Sequence, residues 1–488
     1  MAATHVGQPG DVIKAELARR VNQIEGFTLG DEDLTAYATQ ISKGGGSTST
    51  SVTSDCAGWI GAHFGSQYTP GRAASKLGRG FLSRAGILFL IWFSDRWSAL
   101  LMGVVMSSST PRVAIIGTGV IGAMAAWRLA AAGAEVLAFD SYAAGHDRGA
   151  SAGESRIFRT VAKEGDPYIP LLRRALPLWR ELEQASGRTL LTLCGGVTIG
   201  PPEHPDLIAT LTVARGHGLD HEVLDDSALA QRFPQHRLDP GEIGVFDPVA
   251  GVIRPEPAVQ SALTAAASSG ARILPYHPVR ELTPTATGWR LRAAESVFTV
   301  DHIVLCPGPW ARALVELAGF PVQARLLTAA WFAARDVPLH QPDRLPIAIR
   351  RHPEAGFSCF PVLDGVSVKI LPHHLGFPPL DSPLDLPRGR DVEWVRAAAA
   401  AVDRLLPGLV PSPIRVATYA EGFTPDDHPI VGPLPGVDNA TVLTGFSGHG
   451  FKLSPVYGEV AADLVLHGKS NDPINELNPE RFTRRVSA

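Results

Sequence analysis

A two-domain α/β fold is what this sequence predicts, and three observations predict it. The chain has 488 residues, 45% of them hydrophobic and 19% charged, which is enough to bury more than one core. The turn Gly117-x-Gly119-x-x-Gly122 follows directly on the apolar run Arg112–Ile116 and opens onto an alanine-rich segment. More than three hundred residues later, Gly445-Phe-Ser-Gly-His-Gly-Phe-Lys452 makes a second glycine-rich turn between a strand-like and a helix-like run. Two such turns predict one ligand clamped by both ends of the chain.

The first element is the strand Arg112–Ile116. Its β-branched run does not alternate, so it reads as buried on both faces. In the turn, Gly117 permits the tight bend, Gly119 lets the backbone approach a pyrophosphate, and Gly122 lets helix and strand pack closely. Residues 123–132 read as helix. The N–H groups at its start, from Val120, Ile121 and Gly122, together with its positive dipole end, suit phosphate. A second strand, Glu135–Phe139, ends in Asp140, about where a ribose-binding carboxylate belongs. Strand, turn, helix, strand and acid together predict a dinucleotide and leave NAD and FAD both open.

Next comes a small-residue loop, Gly149–Gly153, which contains Ser151. Arg156 and Arg159 follow, three apart, and on a helical turn they would share a face. Such a pair beside a cofactor could hold a carboxylate bidentately; the bland reading is a solvated helix face. Val300–Cys306 reads as another strand running into a glycine turn at Gly308. In Gly365–His374, the valines alternate with Ser367 and Lys369 as in a half-buried strand, which on period alone leaves Lys369 facing solvent. His373 and His374 are adjacent and have no acidic or cysteine partner at metal-ligand spacing, so no metal site is expected. Residues 393–406 read as an alanine-rich helix ended by Pro407-Gly408. The late turn lies between the strand Thr441–Thr444 and a helix from Leu453, with Gly445, Gly448, Gly450 and Phe451 free to approach a ligand closely.

Composition narrows the partners. Net charge is −4, which argues against nucleic acid. Four cysteines (Cys56, Cys194, Cys306, Cys359) are scattered with no paired spacing, so a reducing cytoplasm is expected. The apolar runs Ile87–Phe93 and Ser98–Met106 are broken by Asp95-Arg96. Each is too short to span a bilayer, which takes about 20 residues. Residues 1–105 include a Gly/Ser/Thr tract and do not read like the rest. They are expected to be an extension that is disordered or not part of the working enzyme, which would begin at Met106.

Taken together, these motifs resemble the D-amino-acid-oxidase superfamily of flavoproteins, most closely its sarcosine oxidase and N-methyltryptophan oxidase branch. The resemblance covers roughly residues 111–480. It is carried by the early glycine turn with Asp140, Gly153-Glu-Ser-Arg156-Ile-Phe-Arg159, Lys369 with His373, Thr424-Pro-Asp-Asp-His428 and the late turn. It implies FAD as cofactor and an α/β fold with a Rossmann-like FAD domain plus a mixed β-sheet substrate domain. The FAD domain would take residues 106–193, 252–320 and 419–488, and the substrate domain 194–251 and 321–418.

The resemblance also implies roles. Arg159 and Lys452 would bind a substrate carboxylate, and Lys369 would sit beside the flavin where oxygen is activated. Arg156 would lie over the flavin ring, with His373 and His449 close to flavin and substrate. Clustered cations would lower the pKa of a bound amine and place its C–H bond over the flavin. Three positions depart from the pattern. Tyr419 stands where covalent relatives carry the flavin-linking cysteine, which implies non-covalent FAD. Ser358 replaces an active-site aromatic and Ala152 a histidine, so the pocket differs from one built for sarcosine.

The activity implied is oxidation of a secondary or N-methyl amino acid with O2, giving H2O2 and an imine. Alternatives are a D-amino-acid or glycine-type oxidase, an amine dehydrogenase and, further off, an NAD(P)-dependent dehydrogenase. The expected partners are a small amino acid and O2, with no nucleic acid or membrane, in a monomer or simple homodimer.

Overall fold

Burial on both faces places the strand Arg112–Ile116 at the heart of a sheet. In a computed structural model, which describes residues 110–311 and 320–483, that strand is one of the two central strands of a six-stranded sheet. The order is Ile430–Pro433, Ala440–Thr444, His302–Leu305, Arg112–Ile116, Glu135–Phe139, Arg272–Leu274. All neighbours are parallel except the Ile430–Pro433 edge. The expectations for residues 1–105 lie outside the described residues. Among the described residues no helix is long and apolar enough to cross a membrane.

The alternating residues of the two leading strands go to two different cores. Val113, Ile115, Val136 and Ala138 pack under helices Val120–Ala131, Pro255–Ser268 and Ser454–His467. Ala114, Ile116, Leu137 and Phe139 pack under an antiparallel meander through Trp289 and Leu291. The stretch read as one strand, Val300–Cys306, is split: Ser296–Val300 closes the meander and His302–Leu305 enters the parallel sheet.

The first helix starts at Val120, three residues earlier than its sequence suggests. Gly119 is its N-cap and has no side chain to serve, so Ser151 Oγ accepts the Val120 N–H at 2.9 Å from a distant loop. Gly122 sits where a Cβ would lie 1.8 Å from the Gly117 carbonyl oxygen. Only glycine lets the helix begin so close to the strand.

A second sheet of eight strands runs Leu409–Phe423, Gln323–Ala334, Ser367–Pro372, Phe357–Phe360, Ile347–Arg350, Gly196–Gly200, Ile243–Asp247, Glu222–Leu224. Its outer face carries Phe332, Phe357, Val368 and Ile370 against Trp394, Ala398 and Val402 of the helix Val392–Leu405. Asp391 caps that helix by accepting the Trp394 N–H. Cross-strand register puts Trp331, Lys369 and Phe360 on the opposite face, followed by Leu371 with Ser358. This inner face meets the segment after Gly149.

That segment is not helical. Arg156–Phe158 is a short strand paired with Gly251–Ile253, so Arg156 and Arg159, three apart, leave the chain on opposite sides. The shared helical face expected for them is corrected: in a three-residue stretch without its own period, pairing with a partner strand decides the conformation.

Candidate active site

The turn of residues 117–122 and the late turn do converge. They line one cavity of about 340 Å³, within the size range of small-ligand and cofactor sites. Gly117, Gly119, Val120, Ile121, Gly122, Asp140 and Ser151 line one end, and Gly308, Gly445, Gly448, Gly450 and Phe451 the other, with Arg156 also in the wall. Asp140 accepts the Thr118 N–H and hydroxyl on Oδ2, and the Tyr142 N–H on Oδ1. A carboxylate has about four acceptor sites, so one remains for a ribose hydroxyl. Beyond Asp140 the rings of Tyr142, His146 and Trp310 gather within 4.9–6.1 Å of one another. The fit to a dinucleotide is good: glycines where the chain approaches closely, a helix start for phosphate, an acid for ribose and aromatic rings beside it.

Arg156 donates to three carbonyls, those of Ala150, Ala152 and Ser155. It thereby ties the small-residue loop into a ring around its guanidinium. Glu256 holds the same loop from below, accepting the Gly153 and Glu154 N–H groups. Lys369 is only 5% exposed. It is not the solvent-facing lysine that strand period alone suggests, because the arginine segment lies over its face of the sheet. Its Nζ donates to the Gly153 and Ser155 carbonyls at 2.6 and 3.1 Å, leaving one of three protons free. Burial first, and Arg156 second, hold its pKa well below the usual lysine range.

The other cations form a separate cluster outside the cavity wall. Arg159 and Lys452 both reach Oε1 of Glu164, at 3.0 and 3.2 Å. Lys452 also donates to the His449 carbonyl. Oε2 of Glu164 is buried with no partner. Burial pushes this carboxyl up, but Arg159 and Lys452 outweigh it and hold the pKa well below the carboxylate range. Two buried cations therefore share one carboxylate, with one positive charge left over. His449 Nε2 lies 2.7 Å from the Asp427 carbonyl, and burial with Lys452 lowers its pKa to about 4. His373 Nε2 lies 2.9 Å from Ser358 Oγ, and burial with Arg351 lowers its pKa to about 3. Both rings are neutral at pH 7.

A pH dependence follows from Glu164. Its folded pKa is depressed, so its stabilisation is complete above the unfolded value of about 4.3 and is lost as pH falls through the lower folded value. The thermal midpoint of the native protein should fall more steeply below pH 4.3 than that of Glu164→Gln, a difference calorimetry across that range would read.

Glu164, Glu256 and Glu421 carry no signal in the sequence. Glu421, near the end of the strand Leu409–Phe423, lines the cavity and accepts the Gly448 N–H at 2.8 Å. Lys369, Arg159, Lys452, His449, His373 and Ser358 lie beyond the cavity wall rather than on it.

Comparison with known proteins agrees with this geometry. The family model for DAO, FAD dependent oxidoreductase, matches residues 112–464. Monomeric sarcosine oxidase of Streptomyces avermitilis is 35% identical over 380 residues, covering 77% of this chain and 98% of that protein. N-methyl-L-tryptophan oxidase of Salmonella typhimurium is 31% identical over 386 residues, covering 76% and 98%. Among solved structures, the open form of NikD, titled an unusual amino acid oxidase essential for nikkomycin biosynthesis, superposes with a TM-score of 0.68 at 22% identity, covering 76% of this chain and 97% of that one. Glycine oxidase from Geobacillus kaustophilus gives 0.64 at 20% identity, covering 75% and 98%. At these identities the two structures speak for the fold alone. Curated relatives above 30% identity and a family match over most of the described residues say more: the chain belongs to the DAO family and is a sarcosine oxidase-like, FAD-dependent oxidoreductase of the kind that acts on CH–NH bonds.

Proposed function

We propose that this enzyme oxidises a secondary or N-methyl amino acid at the carbon next to nitrogen and passes the electrons to O2. Bound FAD would supply the two-electron acceptor; the substrate would lose a hydride from the C–H bond and a proton from nitrogen to become an imine, and O2 would take up the two electrons and two protons to give H2O2. Water then converts the imine to an amine and a carbonyl compound. The observation that supports this most is the convergence of Arg159 and Lys452 on one carboxylate oxygen. A pair that already holds the Glu164 carboxylate, with a charge to spare, is suited to a substrate carboxylate. That contact would orient the reacting carbon, while the surrounding cations disfavour a bound ammonium and so keep the amine in the neutral form that can lose hydride. His449 and His373, neutral at pH 7, would not compete as cations.

FAD is proposed to bind without a covalent link. Tyr419 packs its ring against Gly153, where a Cβ would lie 2.8 Å away. The cysteine on the described cavity wall is Cys306, at the phosphate turn beside Gly117 and Gly122 rather than at the late turn. Denaturation should therefore release all the colour from the polypeptide. The free thiols Cys194, Cys306 and Cys359 support a reducing compartment.

Arg159→Met tests the substrate assignment. Removing one charge-assisted hydrogen bond costs about 1.5–3 kcal/mol, or roughly 10- to 150-fold in affinity. The expected result is a KM raised by that factor, with the FAD content unchanged. An unchanged KM would remove Arg159 from the carboxylate site.

A further inference from the structure

The inner face of the eight-stranded sheet continues past Lys369 in two-residue steps of about 7 Å, through Leu371 to His373. At that end lies a second, smaller cavity of about 160 Å³, lined by Arg351, His204, His373 and His374 among others. One of its lining residues, His373, is bonded to the small residue Ser358.

The charges here repeat the arrangement of the Glu164 cluster. Asp206 is shared between Lys163, at 2.9 Å, and Arg351, at 3.0 Å. Two cations again share one carboxylate and leave one charge over. Arg351 is mostly buried, yet its guanidinium makes no hydrogen bond to a described residue; its Nε approaches Asp206 without hydrogen-bond geometry. His373 Nδ1 is buried and unpartnered as well. The tautomer in which Ser358 donates to Nε2 leaves an Nδ1–H to give. His204 Nδ1 is occupied by the Asp206 N–H and His374 Nδ1 by the Gly356 carbonyl; Arg350 holds Glu242 through Nη2 and keeps Nε and Nη1 unpartnered, alongside the unused donors of Arg351 and His373. Buried donors without partners mark a place built for an acceptor.

We infer that Arg351 and His373 form a subsite for a second anionic group, and that the substrate is an N-substituted amino dicarboxylic acid. This rests on the amino acid oxidation proposed above: one surplus charge, at Arg159 and Lys452, serves the carboxylate next to the reacting carbon, and the other, at Arg351, serves a carboxylate on the side chain. Ser358 serves the subsite through His373, whose Nε2 it bonds at 2.9 Å, a contact that an aromatic hydrocarbon ring at this position could not make.

The test uses the full FAD-loaded chain, titrated anaerobically with racemic N-methylglutamate or N-methylaspartate and with the neutral isostere N-methylglutamine, reading bleaching of the flavin. A dicarboxylate is expected to half-saturate at a concentration about thirtyfold lower than the neutral isostere. Arg351→Met should abolish that difference by weakening the dicarboxylate alone, and Arg351→Lys should restore part of it. Asp206→Asn, which frees Arg351, should tighten the dicarboxylate, so the inference does not hang on one variant's folding. Equal half-saturation for acid and amide, or an Arg351→Met effect of the same size on both, would overturn the subsite and leave amine oxidation standing. Bleaching by neither class, nor by any other N-methyl or cyclic amino acid, would overturn the oxidation itself and the subsite with it.

Discussion

Lys369→Met will slow reoxidation of the reduced enzyme by about a thousandfold while changing its reduction by substrate far less. The first electron onto O2 makes an anion, superoxide. A cation about 4 Å away at an effective dielectric of ~20 stabilises it by about 4 kcal/mol, roughly a thousandfold in rate. Lys369 is proposed to supply that cation. It is buried on the inner face of the sheet, fixed by the Gly153 and Ser155 carbonyls, with one proton uncommitted. Methionine keeps the volume and removes the charge. Because burial and Arg156 lower the lysine's pKa, reoxidation of the native enzyme should also weaken as pH rises through that lowered value, before the usual lysine range near 10.4; the Lys369→Met rate should not respond there. Stopped-flow measurement of the two half-reactions separates the cases, and equal slowing of both would remove Lys369 from the oxygen step.

Gly122→Ala will cost the protein its cofactor and much of its stability together. A Cβ at this position lies 1.8 Å from the Gly117 carbonyl oxygen, a backbone atom that cannot rotate away. Either the phosphate turn or the helix must move. Overpacking of this kind costs about 1–3 kcal/mol and sometimes more. Gly119→Ala is the contrast. Its Cβ meets only the Ser151 hydroxyl, at 3.2 Å, so the polypeptide should stay folded while the added methyl obstructs the pyrophosphate. The expected pattern is a Gly119→Ala protein with a near-native thermal midpoint without FAD and a Gly122→Ala protein lowered in both respects. A Gly122→Ala protein that purifies yellow at the native midpoint would contradict the turn's assigned role.

The parts of the fold that were legible are those where local pattern and tertiary environment agree. Arg112–Ile116 and Glu135–Phe139 are apolar without alternation because helices cover one face and the meander the other. The helix Val392–Leu405 shows its amphipathic period and its Asp391 cap, and differs from its sequence reading by one residue at each end. The errors fall where local pattern is silent. Arg156–Phe158 is too short for a period, and Gly251–Ile253, nearly a hundred residues on, makes it a strand. Val120 begins a helix with no side-chain cap nearby because Ser151 supplies one from a loop. Lys369 follows a half-buried period but is buried on both faces, since the covering segment belongs to another part of the chain.

The candidate site divides the same way. Glycines and cations sit in short motifs that can be read locally. The acids that organise them cannot: Glu164 meets Lys452 across 288 residues and Glu256 meets Gly153 across 103. Charge pairing at such distances leaves no local spacing to find. The surplus of cation over carboxylate at both Glu164 and Asp206 becomes visible only once the fold has brought the partners together.

The most direct test of the central claim is the anaerobic visible spectrum of the FAD-loaded protein before and after adding N-methyl and cyclic amino acids, followed by admission of air. The prediction is a yellow protein, bleached by at least one of them, whose colour returns with air as H2O2 appears. A protein that takes up no FAD, or whose flavin none of these amino acids reduces, would contradict it.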